Sequence, residues 1–167
     1  MKLFPTDNFP HVTGNRVSLL QIAETDIEDL IGISFYDAVR AENVQQAWEM
    51  QAKINQDYLD GNSIHWGIAD NQTHKIVGTC GYYRGLDKGE GELGCVLLPQ
   101  YYGKGYMTDG MSLAIHFGLQ TLGLKRIWAA TDQHNGPAIK LLERLNFVKT
   151  ASLCDGEIEF ELIQANS

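Results

Sequence analysis

Apolar and polar residues recur along this chain with two periods, and each change of period marks an element. Residues 1–14 carry two prolines and no clear period, and they read as an arm laid on the surface. Arg16 to Ile22 reads as a first strand. Thr25, with Glu28 three residues on, has the form of a capping box, and Ile27, Leu30, Ile31 and Ser34 give a helical face behind it. Val44 to Leu59 reads as a second helix through Val44, Ala47, Trp48, Gln51, Ile54 and Tyr58, stopped by Asp60-Gly61-Asn62. Period two then takes over. Ile64 to Ala69, Lys75 to Tyr83 and Gly89 to Leu98 form a run of three strands.

Helical spacing resumes with Met107, Met111, Ala114, Ile115, Gly118 and Leu122 on one stripe, and Gly123 ends it. Arg126 to Thr131 is a short strand. Asn135-Gly136-Pro137 opens another helix, with an N-cap residue type and a proline in the first turn. Its apolar face is Ala138, Leu141, Leu142 and Leu145. Phe147 to Leu153 and Glu157 to Ile163 are the last strands, with Asp155-Gly156 as a hairpin signal. In the last of them Ile158, Phe160 and Leu162 alternate with Glu157, Glu159 and Glu161, which gives it one wet face. The order β-α-α-β-β-β-α-β-α-β-β predicts a mixed α/β or α+β domain, not a regular doubly wound sheet.

Composition narrows the partners. A chain of 167 residues fits one domain, residues 1–167 with a core over about 12–163. The apolar share of 44% and charged share of 20% are those of a globular protein. No apolar run reaches the ~18 residues of a membrane span, and Met1-Lys-Leu-Phe-Pro5 lacks a signal-peptide core, so the expectation is a cytoplasmic protein without a membrane partner. Twenty-one acidic against 13 basic residues leave a charge of −8, which argues against direct nucleic-acid binding. That charge suits a cationic partner, such as an amine or a basic peptide, as well as it suits solubility alone. Cys80, Cys95 and Cys154 form no disulfide framework, and no metal site is expected from the cysteine or histidine spacing. Cys80 and Cys95 read as small buried apolar residues.

The chemistry concentrates in Val96-Leu-Leu-Pro-Gln-Tyr-Tyr-Gly-Lys-Gly-Tyr-Met-Thr108. A strand runs into a glycine turn, Gly103-Lys104-Gly105, and a helix starts at once. Free N–H groups and the positive end of a helix dipole then meet at one point, which favours a phosphate. The turn fits neither a Walker A loop nor the dinucleotide fingerprint, since Thr108 stands where the latter has Gly or Ala. By spacing alone it is a phosphate site or a plain β–α connection.

Gln100-x-x-Gly103-x-Gly105 resembles the acyl-CoA signature of the GNAT N-acetyltransferases. About 35 residues on, Asn135-Gly-Pro-Ala-Ile-Lys-Leu-Leu-Glu-Arg-Leu-Asn-Phe147 resembles the second block of that family. The element order from Arg16 to Ile163 is similar to the family fold. Gly105-Tyr-Met-Thr108 and Leu142-Glu-Arg-Leu-Asn-Phe147 resemble the branch of ribosomal-protein alanine and serine N-acetyltransferases. The resemblance implies a mostly antiparallel sheet of about seven strands with a splayed pair, flanked by about four helices. It implies transfer of an acetyl group from acetyl-CoA, without a metal, to a primary amine on a small molecule or a protein N-terminus, by a monomer or homodimer. An acyl-CoA-binding module without turnover is the alternative.

Residue roles follow from the same resemblance. The N–H groups of Tyr102, Gly103, Lys104, Gly105, Tyr106, Met107 and Thr108 are expected to hold the pyrophosphate, with Gln100 supporting the loop. Val96, Leu97 and Leu98 are expected to pair with the pantetheine amides, and the Val96 N–H to meet the thioester oxygen. Asn135 is expected near the pantetheine, and Lys104 and Lys140 near the phosphates. Glu92 is the expected general base, ahead of Glu90, His134 and Asp132. Phe35, Tyr36, Trp48, Tyr58, Trp66, Tyr82 and Tyr83 are candidate acceptor walls, and only some of them are expected to line a cleft. Three positions depart from the family pattern. Leu142 replaces the tyrosine that protonates the leaving thiolate in many relatives, and Ala138 stands where the branch has serine. Water, or one of Tyr101, Tyr102 and Tyr106, is left to protonate the thiolate. Asn146 replaces a glycine, a change that a left-handed turn tolerates.

Overall fold

The period-two segments assemble into one mixed sheet. The structure, a computed structural model, describes residues 5–164. Its strands are β1 (Val12–Thr13), β2 (Val17–Leu20), β3 (Phe35–Tyr36), β4 (Val39–Arg40), β5 (Ile64–Asp70), β6 (Ile76–Tyr82), β7 (Glu90–Leu97), β8 (Arg126–Asp132), β9 (Phe147–Ser152) and β10 (Glu157–Leu162). Its α-helices are α1 (Val44–Leu59), α2 (Tyr106–Gln120) and α3 (Gly136–Arg144). Eight strands form the main sheet in the order β1-β2-β5-β6-β7-β8-β10-β9, and β3 pairs with β4 as a separate hairpin. Neighbours in the main sheet run antiparallel except β7 and β8.

The parallel pair positions the site. β7 and β8 are in register only at Glu90–Arg126, Gly91–Ile127 and Glu92–Trp128. Beyond Glu92 the strands part. β7 continues on β6 as far as Leu97, and β8 continues on β10 as far as Asp132. This is the splayed pair that the resemblance implied.

α2 lies close on one face of the sheet because small residues face it. A Cβ at Gly110 would sit 2.7 Å from Ile68 Cδ1, and one at Gly118 would sit 2.3 Å from the Tyr82 hydroxyl. That hydroxyl donates to the Ala114 carbonyl at 2.6 Å. Trp66, Tyr82, Ile68, Leu19 and Ile127 are fully buried in this layer. Alternation turns His65 and Gly67 to the opposite face. There Ile22, Ile27, Leu30 and Ile33 pack with Ala47 of α1 in a second, smaller core. On the last strand, Glu159 and Glu161 converge with Glu90 on Arg126 at 3.0–3.4 Å, so the wet face of β10 is ion-paired.

Some expectations are corrected. No α-helix follows Thr25. Two 3-10 segments, Glu24–Asp26 and Glu28–Ile33, stand in its place. The Asp26 carboxylate accepts from the Ala23 N–H at 2.9 Å, so the turn starts ahead of Thr25 and Thr25 caps nothing. Trp48 is 47% exposed, because α1 buries Ala47 and Tyr58 instead. The arm is partly built in. Val12 and Thr13 pair with β2, and the Pro10 carbonyl accepts from the buried Trp66 indole at 2.8 Å. Residues 1–4 of the expected arm lie outside the described residues. The β3–β4 hairpin carries no glycine signal. Asp37 and Ala38 take φ of 50° and 62° at its turn.

Candidate active site

Two cavities open on either side of the β7 edge, and Val96 lines both. The first, about 830 Å³, lies in the split between β7 and β8. Its walls are Cys95, Val96 and Leu97 of β7, Tyr102, Gly103, Gly105, Met107 and Thr108 of the glycine turn and first turn of α2, and Asn135, Pro137, Ala138, Leu141 and Arg144 at α3. Gly103 and Gly105 have φ of 74° and 83°, a region costly for a residue with a Cβ.

The helix starts differ in a telling way. Asn43 caps α1 by accepting from the Gln46 N–H at 2.9 Å, and Asn135 caps α3 by accepting from the Ala138 N–H at 3.2 Å. α2 starts at Gly105 with no side-chain cap. Its first N–H groups have no acceptor within the helix, and they stand at the cavity with the positive end of the dipole. Such an end attracts an anion.

Ladder parity fixes which β7 groups face the split. Glu92 N–H bonds the Arg84 carbonyl at 3.0 Å, and Leu98 N–H bonds the Val77 carbonyl at 2.9 Å. With the register unbroken from Leu93–Tyr82 to Leu97–Gly78, even-numbered residues bond toward β6. The backbone groups of Cys95 and Leu97 therefore point into the split. Those of Val96, expected at the thioester, are spent on β6, and the available N–H at that point is that of Cys95.

Arg16 latches the glycine turn, a role the sequence did not suggest. Its guanidinium pairs with Asp109 at 2.9 Å, donates to the Lys104 carbonyl at 2.8 Å and lies 4.9 Å over the Tyr106 ring. Tyr106 in turn donates its hydroxyl to the Asp70 carboxylate. That hydrogen bond, with the Thr73 and Gln72 N–H groups, holds the Asp70 carboxyl below its ordinary range.

The second cavity, about 540 Å³, lies on the opposite face of the sheet. It is lined by the β3–β4 turn with Phe35, Tyr36, Asp37 and Ala38, by Ile54 and Asp57 of α1, and by His65, Thr79, Tyr83, Arg84, Glu92 and Val96. Glu92 sits at the last rung before the split, and its Oε2 is buried. Arg84 Nε lies 3.1 Å from that oxygen without the alignment of a hydrogen bond. Burial raises the Glu92 carboxyl above its ordinary value, Arg84 pulls it back, and Glu157 adds a smaller upward push. A carboxylate whose pKa is raised is a stronger base than an ordinary one.

The expected residues separate into two groups. Val96, Leu97, Tyr102, Gly103, Gly105, Met107, Thr108 and Asn135 come together at the first cavity, and Glu92 faces the second. Leu98 is buried in the second core, Gln100 and Lys140 are exposed away from the lining, and Lys104 folds its ammonium 6.0 Å over Tyr101. Among the candidate walls, Phe35, Tyr36 and Tyr83 line the second cavity, whereas Tyr58, Trp66 and Tyr82 are core. Ala138 faces the split without a hydroxyl, and Leu142 is buried. Arg144 was missed. It ends the helix that Asn135 starts, so the motif held the signal for it.

Residues 16–148 match the family described as Acetyltransferase (GNAT) domain. An uncharacterised N-acetyltransferase of Bacillus licheniformis is 34% identical over 116 residues, covering 69% of this chain and 65% of that protein's own length. A Vibrio cholerae structure assigned as a ribosomal-protein-serine acetyltransferase superposes with a TM-score of 0.79 at 20% identity, over 92% of this chain and 97% of that one. The spermidine N-acetyltransferase of Vibrio cholerae superposes with a TM-score of 0.74 at 17% identity, over 89% and 94%. At these identities the two structures speak for the fold.

Proposed function

This chain belongs to the GNAT acetyltransferase family, and from that premise we propose that it transfers an acetyl group from acetyl-CoA to a primary amine. One observation carries the reading. An uncapped helix behind a glycine turn opens onto split strands, and the split meets the Glu92 cavity at Val96. The first cavity fits the donor. Its glycine turn and the N-terminus of α2 suit a pyrophosphate, and the free edge of Cys95 and Leu97 suits an amide-bearing arm laid along it like an added strand.

Bound acetyl-CoA supplies a thioester carbonyl that is already activated toward an amine. Glu92 takes the proton that the acceptor ammonium must lose before its nitrogen can attack. The Cys95 N–H donates to the carbonyl oxygen as negative charge builds there. A carbon–nitrogen bond forms and the carbon–sulfur bond breaks. The nitrogen sheds its second proton, and the departing sulfur gains one, through water or Tyr102, since neither Leu142 nor Ala138 offers a hydroxyl. Holding both substrates at Val96 supplies much of the acceleration. The acceptor is a small polyamine or a protein N-terminus, and the carboxylates of Asp37, Asp57 and Glu92 in the cavity lining favour a cation of either kind.

Release of CoA thiol from acetyl-CoA, with spermidine and with an alanine-initiated peptide as acceptors, tests the reading. Turnover with either amine supports it, and Glu92→Gln is expected to lower kcat by about 10²–10⁴-fold. Acetyl-CoA binding without thiol release for any amine leaves an acyl-CoA-binding module instead, a reading that the loss of both family hydroxyls at 138 and 142 favours. Full activity in E92Q removes Glu92 from the base role.

A further inference from the structure

The buried side-chain atoms that make no hydrogen bond stand near one another in the sheet. Among the described residues, three buried side-chain atoms lack a hydrogen-bond partner: His65 Nδ1, Glu92 Oε2 and Trp128 Nε1. His65 and Glu92 line the same cavity, and Trp128 stands beside Glu92 in the ladder. A buried polar atom without a partner is costly, and natural folds keep few of them. Glu92 has its place in the proposed reaction. His65 does not.

Two glycines stand in register beside His65. Its register partner on β6 is Gly81, and the partner of Gly81 on β7 is Gly94. Neither can take a side chain. A Cβ at Gly81 would lie 2.3 Å from the Ile64 carbonyl oxygen, and one at Gly94 would lie 2.2 Å from the Tyr83 ring. Tyr83 lies across Gly94 with its ring 5.9 Å from the imidazole, centre to centre. Thr79, in register with Val96, bounds the other side. His65, Thr79, Tyr83, Glu92 and Val96 line one cavity, which puts an imidazole and an aromatic face beside the two residues that the proposed chemistry uses.

We propose that His65 is a positioning residue for the acceptor, whose alkylammonium N–H donates to Nδ1 within the cavity that Tyr83 and Val96 also line. The proposal rests on the acetyl-transfer reading and names the contact that orients its amine. Burial supports it by holding the imidazole down to about 4. The ring then stays neutral near pH 7, so it offers a lone pair and does not repel a cation. The Tyr83 face is attractive to the same cation. His65 takes no proton in the reaction.

The test compares His65→Asn, His65→Gln and His65→Leu with the unaltered enzyme. The acceptor is whichever of spermidine and the alanine-initiated peptide turns over faster. An asparagine oxygen can stand where Nδ1 stands, and a glutamine oxygen reaches the Nε2 position instead. H65L is expected to raise the acceptor KM by about tenfold or more, the worth of a hydrogen bond to a charged group, with kcat and the acetyl-CoA KM little changed. H65N should recover most of the loss and H65Q little. The Nδ1 resonance of His65, followed by NMR, should move when the same amine is added without acetyl-CoA. An unchanged KM in H65L, a fall in kcat alone, or H65N as impaired as H65L would overturn the proposal. So would a silent Nδ1 resonance, which settles the matter even if H65L fails to fold. Failure of the unaltered enzyme to turn over any amine counts against acetyl transfer, while the NMR titration still decides the contact.

Discussion

The two cavities that meet at Val96 are made of different material. The cavity in the split offers backbone groups beside its side-chain walls: the free edge of Cys95 and Leu97, two glycines at positive φ, and a helix start that no side chain caps. The cavity on the opposite face is built from side chains brought in by β3, β4, α1, β5, β6 and β7. Backbone groups suit a ligand whose polar parts never vary. Side chains can be exchanged one by one without loosening the sheet. On the proposed reading, the division would suit a donor shared by the family and an acceptor particular to this chain.

The largest expected effect tests whether the two sides are separable. Glu92 belongs to the side-chain cavity, so E92Q should lose about 10²–10⁴-fold in kcat while the acetyl-CoA KM stays within about twofold. Its stability should move the other way. The folded-state pKa of Glu92 is raised, so the folded protein holds that proton more tightly than the unfolded chain does. The associated stability is present below the ordinary glutamate range and is lost as pH rises through the raised value. At pH 7 the ionised carboxylate therefore costs stability, and E92Q should melt higher than the unaltered protein. The gap should close on acidification below pH ~4. An E92Q protein that melts lower at pH 7 would mean that Arg84 outweighs burial.

Gly105→Val approaches the comparison from the donor side. A β-branched residue at φ 83° is strained, and its Cβ would sit 3.0 Å from Arg16 Nη1. With at least 1–2 kcal/mol lost at the cradle, the acetyl-CoA KM should rise by about tenfold or more. The acceptor KM should hardly change. If both constants rise together, the cavities share one deformable wall and the division fails.

The same contrast explains what the sequence revealed. The cavity in the split was legible because its parts are contiguous: a strand, a glycine turn and the start of a helix within 95–108, and one capped helix after Asn135. α1 was read with both ends correct, since its amphipathic spacing is local information. The ladder parity that exchanges Cys95 for Val96 was not legible, because it depends on which β6 residues the strand meets. The acceptor side was hidden for a related reason. His65 stands beside Gly81 and Gly94 only after three strands are in register. The β3–β4 turn uses Asp37 and Ala38 where a glycine would have announced it. The segment before it reads as a helix by spacing, yet it folds as two 3-10 segments, the first closed by the Ala23 N–H on the Asp26 carboxylate.

The smallest expected effect is a shift in the acid limb of the rate, which appears where Glu92 loses its proton. Arg84 lowers the Glu92 pKa and Glu157 raises it. Arg84→Ala should therefore move the acid limb of kcat/KM to higher pH, and Glu157→Gln should move it to lower pH. The Arg84 side chain is 78% exposed, so its influence is screened by salt and its shift should shrink between low and physiological ionic strength. Glu92 itself is 19% exposed, and the upward displacement due to burial should survive added salt. Profiles of the two variants at two salt concentrations separate these contributions. If R84A and E157Q shift the limb in the same direction, the titrating group is not Glu92. If neither moves it, the base belongs to the other side of the split, at Asp132 where β8 ends or at His134 just beyond it, and the side-chain cavity loses its place in the chemistry.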